Sequence, residues 1–559
     1  MRNFRPLSAL LCFLCLVLSA CERSDPDAKP GKDKESKSHT RLISKPCWFE
    51  TDDSWPFTQC FMMEVPEDYA HPTRRKIRFP VIRFRAKEPD ASKPPLLHLG
   101  AGGPGASMGL EPENASDWLW LNYAAMTVED GRDLIVIDPR GTGMARPRLT
   151  CSEFIDDAQT AFQRKLSPEE EARVFAFSME RCYSRLSKGA DMAQYNSTVV
   201  ARDVDELRKL LKLDELDLYG VSYSTRYALT YARDYPESVR ALVLNSAVFP
   251  NIAYTQQLAQ DSLAAYERGL KHCTEDKKCN SRYPDLRRRL ENLVQTLDEE
   301  PRTIHIKHRY SKQTYPFVLN GQRLLRVLFQ ALYNENFYSE LPKMIEGLES
   351  SGDEGLKPAQ KAIGHFMEIV LDPYFGDAAG VSHFCYEEAP FVDFDQARAS
   401  AENTGILGGA VRSDLSLLQL QCRIWAIPSA PLLESEAIET PAPVMVLHGG
   451  LDPVLAAEDV DAARKALPNH QWLLFPKLAH DIISASSCAE KAAGRFLDNP
   501  LKDQTQATMT CREQELAEQE ANKEEDQQAE SSEAENQTSE PPVASPTQPP
   551  AASESGQLN

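Results

Sequence analysis

The chain has 559 residues, 42% of them hydrophobic, which is ample for a large core and for roughly two to four domains. Its formal charge of −21 is unevenly placed: Arg512 to Asn559 hold twelve acidic and two basic residues and no aromatic one. About half of the excess therefore lies in a tail too polar to bury anything, and the mildly acidic remainder argues against a nucleic-acid partner.

Arg2 and Arg5 precede an apolar run from Leu7 to Leu18 that ends in Leu18-Ser19-Ala20-Cys21. The run is short for a membrane span and suits a signal peptide over residues 1–20. A cysteine directly after Leu-Ser-Ala resembles a bacterial lipobox, which implies cleavage before Cys21 and lipidation of its thiol. Ordinary signal cleavage with a spare cysteine is the plain alternative. Residues 21–40, charged and rich in Ser, Lys and Asp, read as a flexible tether. Glu22 is not the aspartate associated with inner-membrane retention in enteric bacteria, so the expected location is the cell envelope, with the outer membrane preferred and the protein facing the periplasm or exterior.

Residues 41–247 read as the first part of an α/β core. FTQCFMMEVP and RRKIRFPVIRFRA alternate as antiparallel strands do. LLHLG (Leu96–Gly100), DLIVID (Asp133–Asp138), LDLYG (Leu216–Gly220) and ALVLNS (Ala241–Ser246) are short apolar runs, the pattern of parallel strands buried on both faces. Helical patterns such as Val200–Leu213 separate them. Residues 248–439 hold helical patterns without a comparable strand series and read as a helical cap inserted in the sheet domain. Pro441 and Pro443 mark the return to the core over residues 440–511, with VMVLHG (Val444–Gly449) and WLLFP (Trp472–Pro476) as the last strands. Residues 512–559 form the acidic tail, expected to be disordered.

The chemistry concentrates in the loops after these strands. Gly220-Val221-Ser222-Tyr223-Ser224 joins a buried strand to a helix through a tight turn with a serine at its apex, the layout of a nucleophile elbow. Ser224 replaces the last glycine of the Gly-x-Ser-x-Gly pattern but is small enough for close helix–strand packing. A serine nucleophile needs a base and a group to orient that base, in chain order Ser, Asp or Glu, His. Asp452 follows VMVLHGGL and His480 follows WLLFPKLA, so all three residues fall at the carboxyl ends of predicted strands, where open α/β sheets gather their functional groups. Asp452 could instead cap the next helix, and His480 alone could be an ordinary surface histidine. His448 is placed to pack, and Asp481 is too close in sequence to orient the ring of His480. Gly100-Ala101-Gly102-Gly103-Pro104-Gly105 offers backbone N–H groups to a developing oxyanion, with Gly103 and Tyr223 the expected donors. No phosphate-loop pattern occurs there.

Ten cysteines remain once Cys12, Cys15 and Cys21 are set aside, an even number that suggests disulfides in an exported protein. The spacing leaves connectivity open; next-neighbour pairing is the simplest scheme, giving Cys47–Cys60, Cys151–Cys182, Cys273–Cys279, Cys385–Cys422 and Cys488–Cys511. No zinc-site spacing is present, and no metal or organic cofactor is implied.

With these pieces together, Gly102-Gly103-Pro104-Gly105-Ala106-Ser107, Asp138-Pro139-Arg140-Gly141-Thr142-Gly143, Gly220 to Thr225 and the contexts of Asp452 and His480 resemble the proline iminopeptidase and tripeptidyl aminopeptidase family of α/β-hydrolase serine peptidases. The resemblance spans about Cys47 to Cys511 and is nearest to the secreted, cysteine-bearing tripeptidyl aminopeptidase branch. Ala101 stands where proline iminopeptidases usually carry His. The resemblance implies an α/β-hydrolase fold, peptide substrates cleaved from a free amino terminus, and acidic cap residues that hold the substrate's ammonium group. Glu387 and Glu388 are the candidates, against a solvated charge pair on a cap loop. An esterase on the same scaffold is the first alternative function, and a non-catalytic peptide-binding lipoprotein the second. The tail names no partner.

Overall fold

The computed structural model describes residues 39–51, 57–115, 123–307, 313–350, 352 and 355–516. The expected signal peptide, Cys21, nearly all of the tether and the tail beyond residue 516 lie outside the described residues.

Among the described residues, nine strands form one sheet in the order β1-β2-β3-β5-β4-β6-β7-β10-β11. They are β1 (Arg41–Lys45), β2 (Thr58–Pro66), β3 (Lys76–Phe84), β4 (Leu96–His98), β5 (Leu134–Ile137), β6 (Leu216–Val221), β7 (Val239–Asn245), β10 (Val444–Gly449) and β11 (His470–Phe475). The pairings β1–β2, β2–β3 and β3–β5 are antiparallel and the rest are parallel. β4, β5, β6 and β10 are buried at every position, which is why their sequences are unbroken apolar runs rather than alternating ones. The edge strand β1 escaped the sequence reading because RLISK is short, polar and largely exposed.

The cap differs from a purely helical insertion in two respects. β8 (Arg302–Lys307) and β9 (Thr314–Leu319) pair antiparallel as a separate two-stranded sheet, and their inward residues Ile304, Ile306, Phe317 and Leu319 join the cap's apolar cluster. The helices Ser152–Ala161 and Pro168–Leu186, assigned above to the core, also pack into that cluster. The ring of Phe162 lies 5.3 Å from Phe317 and 5.7 Å from Phe366, and Val318 N–H donates to Phe162 O at 2.7 Å. Their apolar faces, carrying Phe154, Phe162 and Phe175, would otherwise meet water, so burial draws this stretch into the cap.

Among the described residues, five disulfides connect each cysteine to its next neighbour: Cys47–Cys60, Cys151–Cys182, Cys273–Cys279, Cys385–Cys422 and Cys488–Cys511. The last one fastens a helix over residues 505–516 to the helix Ser487–Asp498. Order therefore continues past the expected start of the tail, because Arg512 donates to Leu474 O at 2.9 Å and Glu515 accepts the hydroxyl of Ser486 at 2.7 Å.

Candidate active site

Ser222 lies between β6 and the helix Ser224–Asp234 with φ of +55°, a left-handed conformation that non-glycine residues seldom hold. Four hydrogen bonds keep the turn pinched. Ser222 N–H donates to Asn245 O at 2.9 Å, and Thr225 N–H donates to Ser222 O at 3.0 Å. Ser224, the departure from glycine, accepts from Val221 N–H at 2.8 Å and donates to Val221 O at 2.9 Å, so its hydroxyl clips the strand end to the helix start. Gly220 has no such latitude: a Cβ there would stand 2.7 Å from both Ser224 O and Thr225 N.

Asp452 and His480 meet over the carboxyl edge of the sheet. Asp452 Oδ2 accepts from His480 Nδ1 at 2.9 Å, while its Oδ1 accepts from Val454 N–H at 2.9 Å and Leu455 N–H at 3.4 Å. One carboxylate thus both caps the local turn and orients the imidazole. Burial opposes its charge, yet the facing His480, with His448 behind, holds the carboxyl down at about 2. Burial likewise opposes a charged His480, but the Asp452 carboxylate outweighs it and raises the imidazole above its ordinary value. His480 Nε2 is buried and has no hydrogen-bond partner, so Ser222 Oγ is not bonded to it in this resting arrangement; catalytic hydrogen bonds are often long before substrate binds. Asp481 instead accepts from Asn245 Nδ2 at 2.6 Å and from the Ser484 hydroxyl at 2.6 Å. His448 packs on Trp472, with ring centroids 5.9 Å apart.

Two supports were invisible in sequence. Asn245, at the end of β7, accepts the N–H of Ser222 on its backbone oxygen and the N–H of Ile482 on its side-chain oxygen at 2.9 Å, joining the elbow to the His480 loop. Tyr333, from the cap, accepts His480 N–H at 3.2 Å and sets its ring edge-on to the imidazole at 4.8 Å. Nothing in the local patterns around either residue distinguishes them from ordinary core positions.

The glycine loop after β4 crosses directly over the nucleophile. Gly100, Gly102, Gly103 and Gly105 all have positive φ, and a Cβ on Gly102 would stand 2.7 Å from Ser222 Cβ and 3.1 Å from its Oγ. The backbone at Gly102 thus passes beside Ser222, and the N–H of Tyr223, which precedes the first helical turn, has no intrahelical acceptor, so this stretch offers backbone donors at the nucleophile. From Gly103 and Pro104 a cavity of about 450 Å³ runs into the cap, walled by Phe162, Phe175, Phe366 and Phe384.

Glu387 and Glu388 occupy different environments. Glu387 is fully buried and already engaged: it accepts from Ser197 N–H at 3.0 Å and Tyr223 O–H at 2.6 Å and lies 3.6 Å from Arg226 Nε. Its carboxyl is an internal anchor rather than a solvated cap charge. Glu388, also buried, lies 3.5 Å from Arg226 Nη1 and keeps Oε1 without a partner. Burial, only partly offset by Arg226, pushes its carboxyl up to about 7.

Residues 102–270 match the alpha/beta hydrolase fold family and residues 410–511 match the TAP-like protein family. The chain is 26% identical over 466 residues to serine protease Hip1 of Mycobacterium tuberculosis, covering 78% of this chain and 84% of that one. It is 31% identical over 221 residues to the tripeptidyl aminopeptidase of Streptomyces lividans, covering 36% of this chain and 38% of that one. The chain has the α/β-hydrolase fold and is similar to serine peptidases that share it. Among solved structures this hydrolase is similar to proline iminopeptidase from Mycobacterium smegmatis, at a TM-score of 0.35 and 11% identity over 78% of this chain and 97% of that one.

Proposed function

We propose that the hydrolase removes residues from the free amino terminus of peptides through an acyl-enzyme. Ser222 Oγ attacks the amide carbonyl as His480 Nε2 takes its proton. The N–H groups of Tyr223 and Gly103 hold the oxyanion, and Asp452 keeps His480 in the required tautomer. The C–N bond breaks as His480 returns the proton to the leaving amine. Water then repeats the sequence on the ester and releases Ser222. The observation that carries this reading is the strained Ser222 set against Gly102, with His480 Nε2 buried, unpartnered and backed by Asp452. The cap closes over the site and suits peptide ends better than the middle of a folded chain.

The test is turnover of free and N-acetylated aminoacyl and tripeptidyl naphthylamides and of p-nitrophenyl esters by the mature chain, with Ser222→Ala as control. Cleavage confined to free-amine amides and absent in the control supports the proposal. Ester turnover alone makes the protein an esterase; no turnover of any substrate would leave a peptide-binding lipoprotein.

We further propose that lipidated Cys21 tethers the enzyme to the cell envelope, with the outer membrane preferred. The lipobox-like Leu18-Ser19-Ala20-Cys21 supports this, as do five disulfides, which suit an oxidising compartment. Mass spectrometry of the amino-terminal peptide tests it; an unmodified Cys21 thiol would rule it out.

A further inference from the structure

The turn that carries Asp452 is held from two sides. Leu451 and Asp452 follow β10, and their N–H groups are tied to the core: Leu451 donates to Leu478 O at 3.0 Å and Asp452 to Gly449 O at 3.3 Å. Their carbonyl oxygens are held by the cap instead. Tyr338, on the helix Asn336–Glu349, donates its hydroxyl to Leu451 O at 2.7 Å. Arg268, on the helix Tyr254–Thr274, donates Nη2 to Asp452 O at 2.7 Å. Gly269 lets these two helices close up beside Arg268, since a Cβ there would stand 3.0 Å from Leu341 Cδ2 and 3.9 Å from Tyr338 Cδ1.

Arg268 makes this bond in place of an ion pair. Among the described residues no carboxylate pairs with it, and its Nε is buried without a hydrogen-bond partner. A half-buried guanidinium is costly to hold unpaired, so its place is set by the acceptor it reaches. A charged donor makes a bond roughly twice as strong as a neutral one. This bond falls on the main chain of the residue whose Oδ2 meets His480 Nδ1 at 2.9 Å. Asp452 Oδ1 is bound within the same turn, to Val454 N–H and Leu455 N–H, so the turn moves as a unit. Any shift of its main chain therefore carries Oδ2 away from the imidazole.

We propose that Arg268 is a positioning residue for the reaction: by holding Asp452 O it fixes the carboxylate against His480, so the cap completes the triad as well as covering it. Tyr338 acts in the same way on Leu451, and Tyr333 O, which accepts His480 N–H at 3.2 Å, ties the cap to the base. The proposal rests on the acyl-enzyme reading of Ser222, Asp452 and His480.

The rate at which a fluorophosphonate labels Ser222 reads the triad without choosing between peptide and ester substrates. It is measured on the full chain with Arg268→Met, Arg268→Lys or Tyr338→Phe, each with and without Asp452→Asn, and normalised to the sites labelled at completion. Arg268→Met fills the space without a donor and should slow labelling by about 10²-fold, the cost of displacing a catalytic group by about 1 Å. Arg268→Lys returns a charged donor and should recover most of the rate. Tyr338→Phe deletes one hydroxyl and should slow labelling about fivefold. Both losses should shrink to less than about twofold beside Asp452→Asn, because residues that act through one group are not additive. For a naphthylamide or ester that is turned over, the loss should fall on kcat and leave KM unchanged. An unchanged labelling rate in Arg268→Met, an equal loss with and without Asp452→Asn, or a rise in KM at constant kcat overturns the assignment. A wild type that the fluorophosphonate does not label sinks the acyl-enzyme reading and the assignment together.

Discussion

Tyr223, which follows the elbow serine, donates its phenol to Glu387 Oε1 at 2.6 Å, so the residue proposed to supply an oxyanion N–H is moored by a buried cap carboxylate. Burial alone would raise that carboxyl, but Arg226, His383, Ser197 and Tyr223 together hold it below its ordinary value. Glu387→Gln removes the charge that faces Arg226 and should destabilise the protein by about 3–5 kcal/mol in urea unfolding. The folded carboxyl is depressed, so its contribution is present above the unfolded value of about 4.3 and is lost as pH falls through the folded one. The wild type should thus lose part of its stability on acidification where the variant does not; parallel pH–stability curves would contradict the role.

Asp452 and His480 predict a second pH effect with the opposite sense. Asp452 raises His480, so the acid limb of kcat/KM should lie above the ordinary histidine value of about 6.5, with activity rising as the imidazole loses its proton. The raised pKa stabilises the fold below the unfolded value, and that contribution fades as pH rises through the folded one. Asp452→Asn should move the acid limb downward and lower kcat by about 10⁴-fold through the wrong tautomer. An unmoved limb with near-normal kcat would assign the orienting role elsewhere.

The candidate site stood out in the sequence because Ser222 and Asp452 each follow a strand buried on both faces, which leaves an unbroken apolar run, and His480 follows the partly exposed edge strand β11. The Gly102-Gly103-Pro104-Gly105 loop was legible for a related reason, since only glycine serves where backbone crosses another residue at contact distance. β1 was not, because an exposed edge strand needs no apolar pattern. Nor was the placement of residues 151–194: amphipathic helices announce that one face is buried, but not against which neighbour. The division of labour between Glu387 and Glu388 was equally hidden, as it depends on Arg226, more than 150 residues away in sequence.

Gly102→Ala should remove most activity while leaving the fold intact. The new methyl would need φ near +99° and a position 2.7 Å from Ser222 Cβ, so either the loop or the nucleophile must move. Loss of an oxyanion donor costs about 10²–10³-fold in kcat, and displacement of this loop should cost at least as much. Gly189→Ala is the matched control: a Cβ there meets only Leu186 O at 3.9 Å, and kcat should be unchanged. Comparable rates in the two variants would show that the loop is not part of the oxyanion site.

Asn245 couples the elbow to the loop that carries the base. Its Nδ2 donates to Asp481 at 2.6 Å and to Tyr219 Oη at 2.8 Å, its Oδ1 accepts from Ile482 N–H at 2.9 Å, and its backbone oxygen holds Ser222 N–H at 2.9 Å. Asn245→Ala deletes the three side-chain bonds and leaves buried partners unsatisfied, at about 1–3 kcal/mol for each such group. The backbone bond to Ser222 survives, so the elbow should keep its shape while the His480 loop loses its tie. The expected result is a fall in kcat with little change in KM, because none of these residues lines the cavity that runs from the glycine loop into the cap. A rise in KM at constant kcat would place Asn245 in substrate binding, and wild-type kinetics with lowered stability would make it a packing residue only.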